Sequence, residues 1–221
     1  MLARITTATL ALVFTACSAL SAAQSPSPKP QGAEVAFVRS VQSALASRYA
    51  TVADAERAGY FRFTNEDRSG SISYANLHWQ SSDVQHPSQL WYDVHGNLLG
   101  ADYSVMQSSS PEAPKLWGVN PARWQKFDEH LHYVLAGPPM SSDYHGIGTK
   151  KFLAAGGSLA NPSSATLVKM GLVKSPDQVA RVFVFPSIWD LQVWVKPNPN
   201  GAFAMMNPLV KPSKNAGKDS M

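Results

Sequence analysis

Apolar and polar positions follow two successive rhythms along this chain. In AEVAFVRSVQSALASRY, from residue 33, Val38, Val41 and Leu45 recur at helical spacing while Arg39, Gln42 and Arg48 turn away, which predicts an amphipathic helix. TVADAERAG follows, with Thr51 placed to cap a short second helix, Asp54 three residues on, and Gly59 placed to stop it. The rhythm then shortens to two. YFRF and SISYANLHW alternate and are rich in aromatic and β-branched residues, as strands are. QLWYDVHGNLLGADYSV predicts a hairpin, with strands near 89–94 and 98–106 and a turn at HGN. NPARWQKF reads as a helix start, with Asn120 as cap and Pro121 in the first turn. NPSSATLVKMG repeats that grammar from Asn161 and Pro162 to a stop at Gly171. VARVFVF and WDLQVWV are two late strands, and KPNPNG is a turn-rich loop. The expected class is α+β, with N-terminal helices followed by a mainly antiparallel sheet into which short helices are inserted. No internal repeat and no second core is visible, so residues 34–210 are expected to form a single domain.

The ends carry a different message. ITTATLALVFTA is a 12-residue apolar run behind Arg4, the length of a signal-peptide core and too short to span a bilayer. Two processing routes compete. Residues 1–23 read as a signal peptide cleaved after SAA, before Gln24. Alternatively, FTAC at 14–17 is a lipoprotein box, residues 1–16 are the signal, and Cys17 is lipidated. Either route predicts an exported protein, periplasmic or extracellular, that touches a membrane only through a lipid anchor. Cys17 is the only cysteine, so the fold holds no disulfide and no thiolate metal site. Residues 24–33 have the Ser/Pro composition of a flexible tether, and 211–221 that of a disordered basic tail.

Those ends also hold the charge. Of the formal net +4, Arg4 and Lys29 supply one each, and Lys211, Lys214 and Lys218 less Asp219 supply two, so residues 30–208 are neutral. A nucleic-acid partner would demand a basic stripe on the body, and none is found. A small molecule or an envelope component is the partner this leaves.

The candidate chemistry centres on His130 and His132 in FDEHLHYVL. If this segment is a strand, residues i and i+2 share a face and the two imidazoles point the same way. Such a pair presents two nitrogen ligands to a transition metal such as zinc, with His145 in SSDYHGIG as third ligand and Asp128, Glu129 or Asp143 as base. The alternative is that one histidine packs in the core. NEDRSGSISYAN, residues 65–76, superficially matches a calcium loop, but Asn76 stands where the bidentate glutamate is needed, so a polar hairpin turn is expected. There is no nucleophile elbow and no phosphate loop.

The late strand offers a second candidate. In WDLQVWV, Trp189, Leu191 and Val193 share one face, expected to be core and to lie against the hairpin carrying Trp91. Asp190, Gln192 and Trp194 share the other, mixing acid, amide and indole as a groove lining does. With His78 of NLHW they form the expected ligand-binding set.

FPSIWDLQVWVKPNPNGAFAMMNPLV, residues 185–210, resembles the ending of a family of small exported bacterial proteins with no assigned activity. Those chains also run from a helical start like ATVADAERAGY, through a hairpin like PSQLWYDVHGNLLGADYSV, to a W-x-W…N-P-x-G-x-F…N-P close. The resemblance covers most of residues 45–210 and implies fold and export, not a reaction. It further implies that Gln192 stands where many relatives carry a histidine, which weakens a metal reading here. The expected function is an exported, envelope-associated domain that binds a ligand or partner without catalysing a reaction. The alternative is a metal-dependent, histidine-ligated hydrolase.

Overall fold

The computed structural model describes residues 27–76, 78–79, 83–137 and 144–217. The signal segment with Cys17, Asp143 of the proposed metal set and residues 218–221 lie outside them. In chain order the elements are α1 (Ala33–Arg48), α2 (Val52–Arg57), β1 (Phe61–Arg62), β2 (Ile72–Ala75), β3 (Gln89–Tyr92), β4 (Leu98–Met106), β5 (Gln125–Phe127), β6 (His130–Leu135), β7 (Tyr144–Gly148), α3 (Thr149–Ala154), α4 (Ser164–Lys169), β8 (Val179–Phe185) and β9 (Ile188–Trp194). All strand pairings are antiparallel, and they build a six-stranded sheet in the order β1-β2-β3-β4-β9-β5 and a three-stranded sheet β7-β6-β8. The class is α+β.

Local chemistry sets most boundaries. Thr51 and Asp54 form a reciprocal capping box at the start of α2, and Gly59 ends it with a φ of 86°. In the loop before β2, one carboxylate oxygen of Asp67 accepts from the backbone N–H groups of Ser69 and Ser71, so the first part of NEDRSGSISYAN is a polar hairpin turn and its ISYA is β2. The helix expected from NPARWQKF is a single 3₁₀ turn, Pro121–Arg123, capped by Asn120. It stops because Trp124 turns extended to enter the core and Gln125–Phe127 pair with β9. The second Asn-Pro start shifts as well: Ser163, not Asn161, caps α4.

The stripe of α1 buries Phe37, Val38, Val41 and Leu45 against one face of the large sheet, where Leu90, Tyr92, Tyr103, Leu191 and Val193 meet it. Gln42 is not turned away: its amide donates to the Trp194 carbonyl at 3.3 Å. A second apolar cluster, absent from the sequence expectation, lies under the small sheet, where Leu131, Tyr133 and Ile147 meet Phe152 of α3 and Leu167 of α4. Its contributors come from short segments of mixed period, which carry no sequence signal of a shared core. The two sheets are joined by two tight strand-to-strand corners, Asp128–Glu129 between β5 and β6 and Pro186–Ser187 between β8 and β9. Gln107 stitches both, donating from its amide to the carbonyls of Phe127 and Ile188 at 3.0 and 2.9 Å.

Both ends are more tightly held than their composition suggested. Arg123 donates to Ser27 Oγ and to the Pro28 carbonyl while pairing with buried Glu34, which ties residues 27 and 28 of the expected tether to the body. In the expected tail, Ser213 donates to the Glu66 carboxylate and the Gly217 N–H to the Glu66 carbonyl. Polar side chains elsewhere in the fold supply the anchors, which tail composition cannot reveal.

Candidate functional site

Alternation on β4 and β9 puts one residue set into the α1 core and the other on the opposite face. Gly100, Asp102 and Ser104 of β4 stand across from Trp194, Gln192 and Asp190 of β9, and Gln125 of β5 stands across from Asp190. From β3, Gln89 and Trp91 join the same face opposite Asp102 and Gly100. The result is a groove of about 510 Å³ with Asp102, Asp190 and Gln192 among its floor residues and Phe127, Met205 and Met206 at its margin.

The turn-rich ending builds one wall. Gly201, with a φ of 105°, folds the chain back so that Ala202 and Ala204 accept from the backbone and indole N–H of Trp194. Met205 then reaches the groove, where its carbonyl accepts from Gln192 at 3.2 Å. Trp91 and Trp194 meet edge to face at 5.4 Å beneath this wall. Gly100 is required here, because a Cβ would lie 2.6 Å from the Val193 carbonyl and 2.8 Å from the Trp91 ring. Its absence lets the Trp91 indole lie over β4 and donate to Asp102 at 2.7 Å.

Asp102 and Asp190 are diagonal neighbours on this face, close enough for each carboxyl to shift the other's proton affinity. Burial, then the Asp190 carboxylate, pushes Asp102 well above the ordinary carboxyl range. Burial raises Asp190 to about 6, against the opposing hydrogen bonds from Ser104 and Asp102. Among the described residues neither carboxyl has an ion-pair partner.

A second cavity, of about 270 Å³, opens farther along the same face, between the two sheets. Phe183 and Phe185 of β8, Phe63, Ala75 and Ile188 give it an apolar lining, with Ser104 at its polar side. Ser104 joins the two spaces: its side chain lines the cavity while its hydroxyl donates to Asp190 at 2.9 Å.

Behind that cavity lie the two histidines. They share a face of β6, with ring centroids 4.9 Å apart. His132 is buried against Phe63, Phe183 and Phe185 at 5.2–5.7 Å. Burial lowers it to about 4, with His130 and His145 adding to the effect, so it is a neutral packing ring at physiological pH. His130 Nδ1 bonds the Asp128 carbonyl at 2.9 Å. His145 does not join the pair. It lies opposite Tyr133 in register, hence on the other face of the small sheet, and stacks on that ring at 4.8 Å. The i, i+2 spacing gave the shared face of His130 and His132, but His145 depends on strand register, which the sequence does not display. Asp128 and Glu129 are exposed at the corner, and no group of three metal-ligating side chains occurs among the described residues.

Of the expected ligand-binding set, Asp190 and Gln192 line the groove. Trp194 does not; it is 1% exposed and forms the packing beneath the wall. His78 is exposed, its backbone bonded to Asn76, and it lines neither cavity. Asp102 and Trp91 were missed. The signal for Asp102 was a lone acid within the apolar strand LLGADYSV. Trp91 sits on the groove face, so Trp189 does not lie against it. Trp189 is half-buried at the core's edge and donates to the Ser110 carbonyl at 2.8 Å.

No family model, curated protein or solved structure matches this chain.

Proposed function

We propose that this chain is an exported, envelope-associated binding protein whose ligand seats in the groove on the open face of the large sheet. The supporting observation is the Asp102–Asp190 pair: two neighbouring acids on the floor of an accessible cavity, with no ion-pair partner among the described residues although Arg68 lines the same cavity. Burying two acids side by side costs stability, and the single bonds from Trp91 and Ser104 leave acceptor capacity that a ligand can use. The amides of Gln125 and Gln192 beside the pair suit a ligand held by hydrogen bonds.

A thermal-shift screen with chemically varied small molecules tests the reading. Ligands should raise the melting temperature of the wild-type protein and not that of Gln192→Arg, in which a longer side chain obstructs the groove. Shifts that persist in the variant would place binding elsewhere. Intact-mass analysis of protein from the producing cell tests export: the chain should begin at Gln24 or at an acylated Cys17, and a cytoplasmic product starting at Met1 would refute it.

A further inference from the structure

We infer that the groove and the inter-sheet cavity form one site for an organic ammonium ion carrying a phenyl or short branched-alkyl group. The inference rests on the binding reading above and adds the chemical class of the ligand. The cavity is lined by Phe63, Phe183, Phe185, Ala75 and Ile188, a surface that favours an apolar group. Its volume of about 270 Å³ accommodates a single ring or a branched chain and not a large lipid.

The polar end is equally specific. Ser104 borders the cavity and donates to Asp190, so a ligand seated among the phenylalanines ends beside a carboxylate. Asp190 and Asp102 lack a cationic partner among the described residues. An ammonium group supplies that charge and up to three donors, while carboxylates and side-chain amides supply acceptors. Arg68 and Asp67 also line the groove and offset one another in charge, so an anion beside Asp190 would meet repulsion, and a neutral alcohol would leave the charge uncompensated. A cation without an apolar group would leave the aromatic cavity unused.

Calorimetry with the purified protein tests this, using phenethylamine, 2-phenylethanol, 3-phenylpropionate, methylamine and calcium chloride as probes. Phenethylamine should bind at least about tenfold more tightly than the alcohol, the smallest preference expected of a charge-assisted bond. Asp190→Asn should remove that preference. Ala75→Leu, which fills the cavity, should weaken phenethylamine and leave methylamine, which has no chain to place there, unchanged; where that variant misfolds, Asp190→Asn still decides the charge requirement. Equal binding of amine and alcohol, lost on filling the cavity, would overturn the ammonium class and leave the groove reading intact. Calcium binding abolished by Asp190→Asn, with no amine binding, would make this an inorganic cation site and overturn the inference. Binding of no probe, or binding indifferent to both substitutions, would overturn the inference; if the Gln192→Arg screen fails too, the groove reading falls with it.

Discussion

Ser104 on β4 stands directly opposite Asp190 on β9, 86 residues away, and donates its hydroxyl to the carboxylate at 2.9 Å. That bond anchors Asp190 at the place where the apolar cavity meets the acid pair. The pair itself opposes folding. Both acids are raised above their unfolded values, so the folded state holds the protons more firmly. The penalty is absent below the unfolded range near pH 4 and grows as pH rises toward about 6, where Asp190 ionises.

Asp102→Asn should therefore stabilise the protein. The amide keeps an acceptor for the Trp91 indole and presents a donor toward Asp190 that no pH change removes. At pH 7.5 the gain should be about 1–3 kcal/mol, shrinking as pH falls toward 4. Urea unfolding at several pH values reads this directly, and a variant less stable than wild type at pH 7.5 would contradict it.

His132 acts in the opposite sense. Its folded value of about 4 lies below the ordinary 6.5, so the unfolded chain takes up a proton first. Its contribution is intact above 6.5 and declines as pH falls toward 4, by roughly 3 kcal/mol at most. His132→Phe, which keeps a ring among Phe63, Phe183 and Phe185, should remove this decline. Equal acid sensitivity of variant and wild type would show that the histidine is not the cause.

Glu34 and Arg123 form a buried two-pronged pair, with Nε to Oε1 and Nη2 to Oε2 both at 3.1 Å. Burial alone would raise Glu34, but the Arg123 bonds and the backbone N–H groups of Asn120 and Gln31 outweigh it and lower it. Its stabilisation is thus present above the unfolded carboxyl range and lost as pH falls through the lowered value. Glu34→Ala should cost about 3 kcal/mol, because the guanidinium loses its carboxylate and keeps only the neutral acceptors Ser27 and Pro28. Protease cleavage near residues 27–29 should also quicken, and unchanged cleavage would mean that Arg123 does not hold that segment.

The two late tryptophans should differ. Trp194→Ala removes a fully buried ring and should cost about 3–5 kcal/mol, whereas Trp189→Ala, half-buried, should cost less. Denaturant midpoints with equal losses would contradict the assigned orientation of β9.

The sequence displayed what is local. The stripe of α1, the Thr51–Asp54 box, the hairpin and the shared faces of His130–His132 and Asp190–Gln192 all follow from spacing within a few residues. Register between distant strands does not. Nothing near Asp190 announces Asp102, and nothing near His132 announces that His145 turns the other way. Alternation also leaves the inward face undetermined: Leu90 and Tyr92 of the hairpin enter the α1 core, while Trp91 packs with Leu99, Trp194 and Val210, away from Trp189.

The strand order has a kinetic consequence. β1 to β4 pair with neighbours in sequence, whereas β9 must travel from the far end of the chain to lie beside β4. Closing a longer loop costs more entropy, and non-local pairings slow folding. The N-terminal meander should therefore assemble first and present a half-finished sheet, with Asp102 waiting for Asp190. In a refolding experiment, fluorescence of the Trp91–Trp194 contact should lag behind far-ultraviolet signals from α1 and the early hairpins; coincident traces would argue for concerted assembly. A protein with this wiring completes its binding groove last, so a chain that has lost its final strand can hold much of its secondary structure and still have no site.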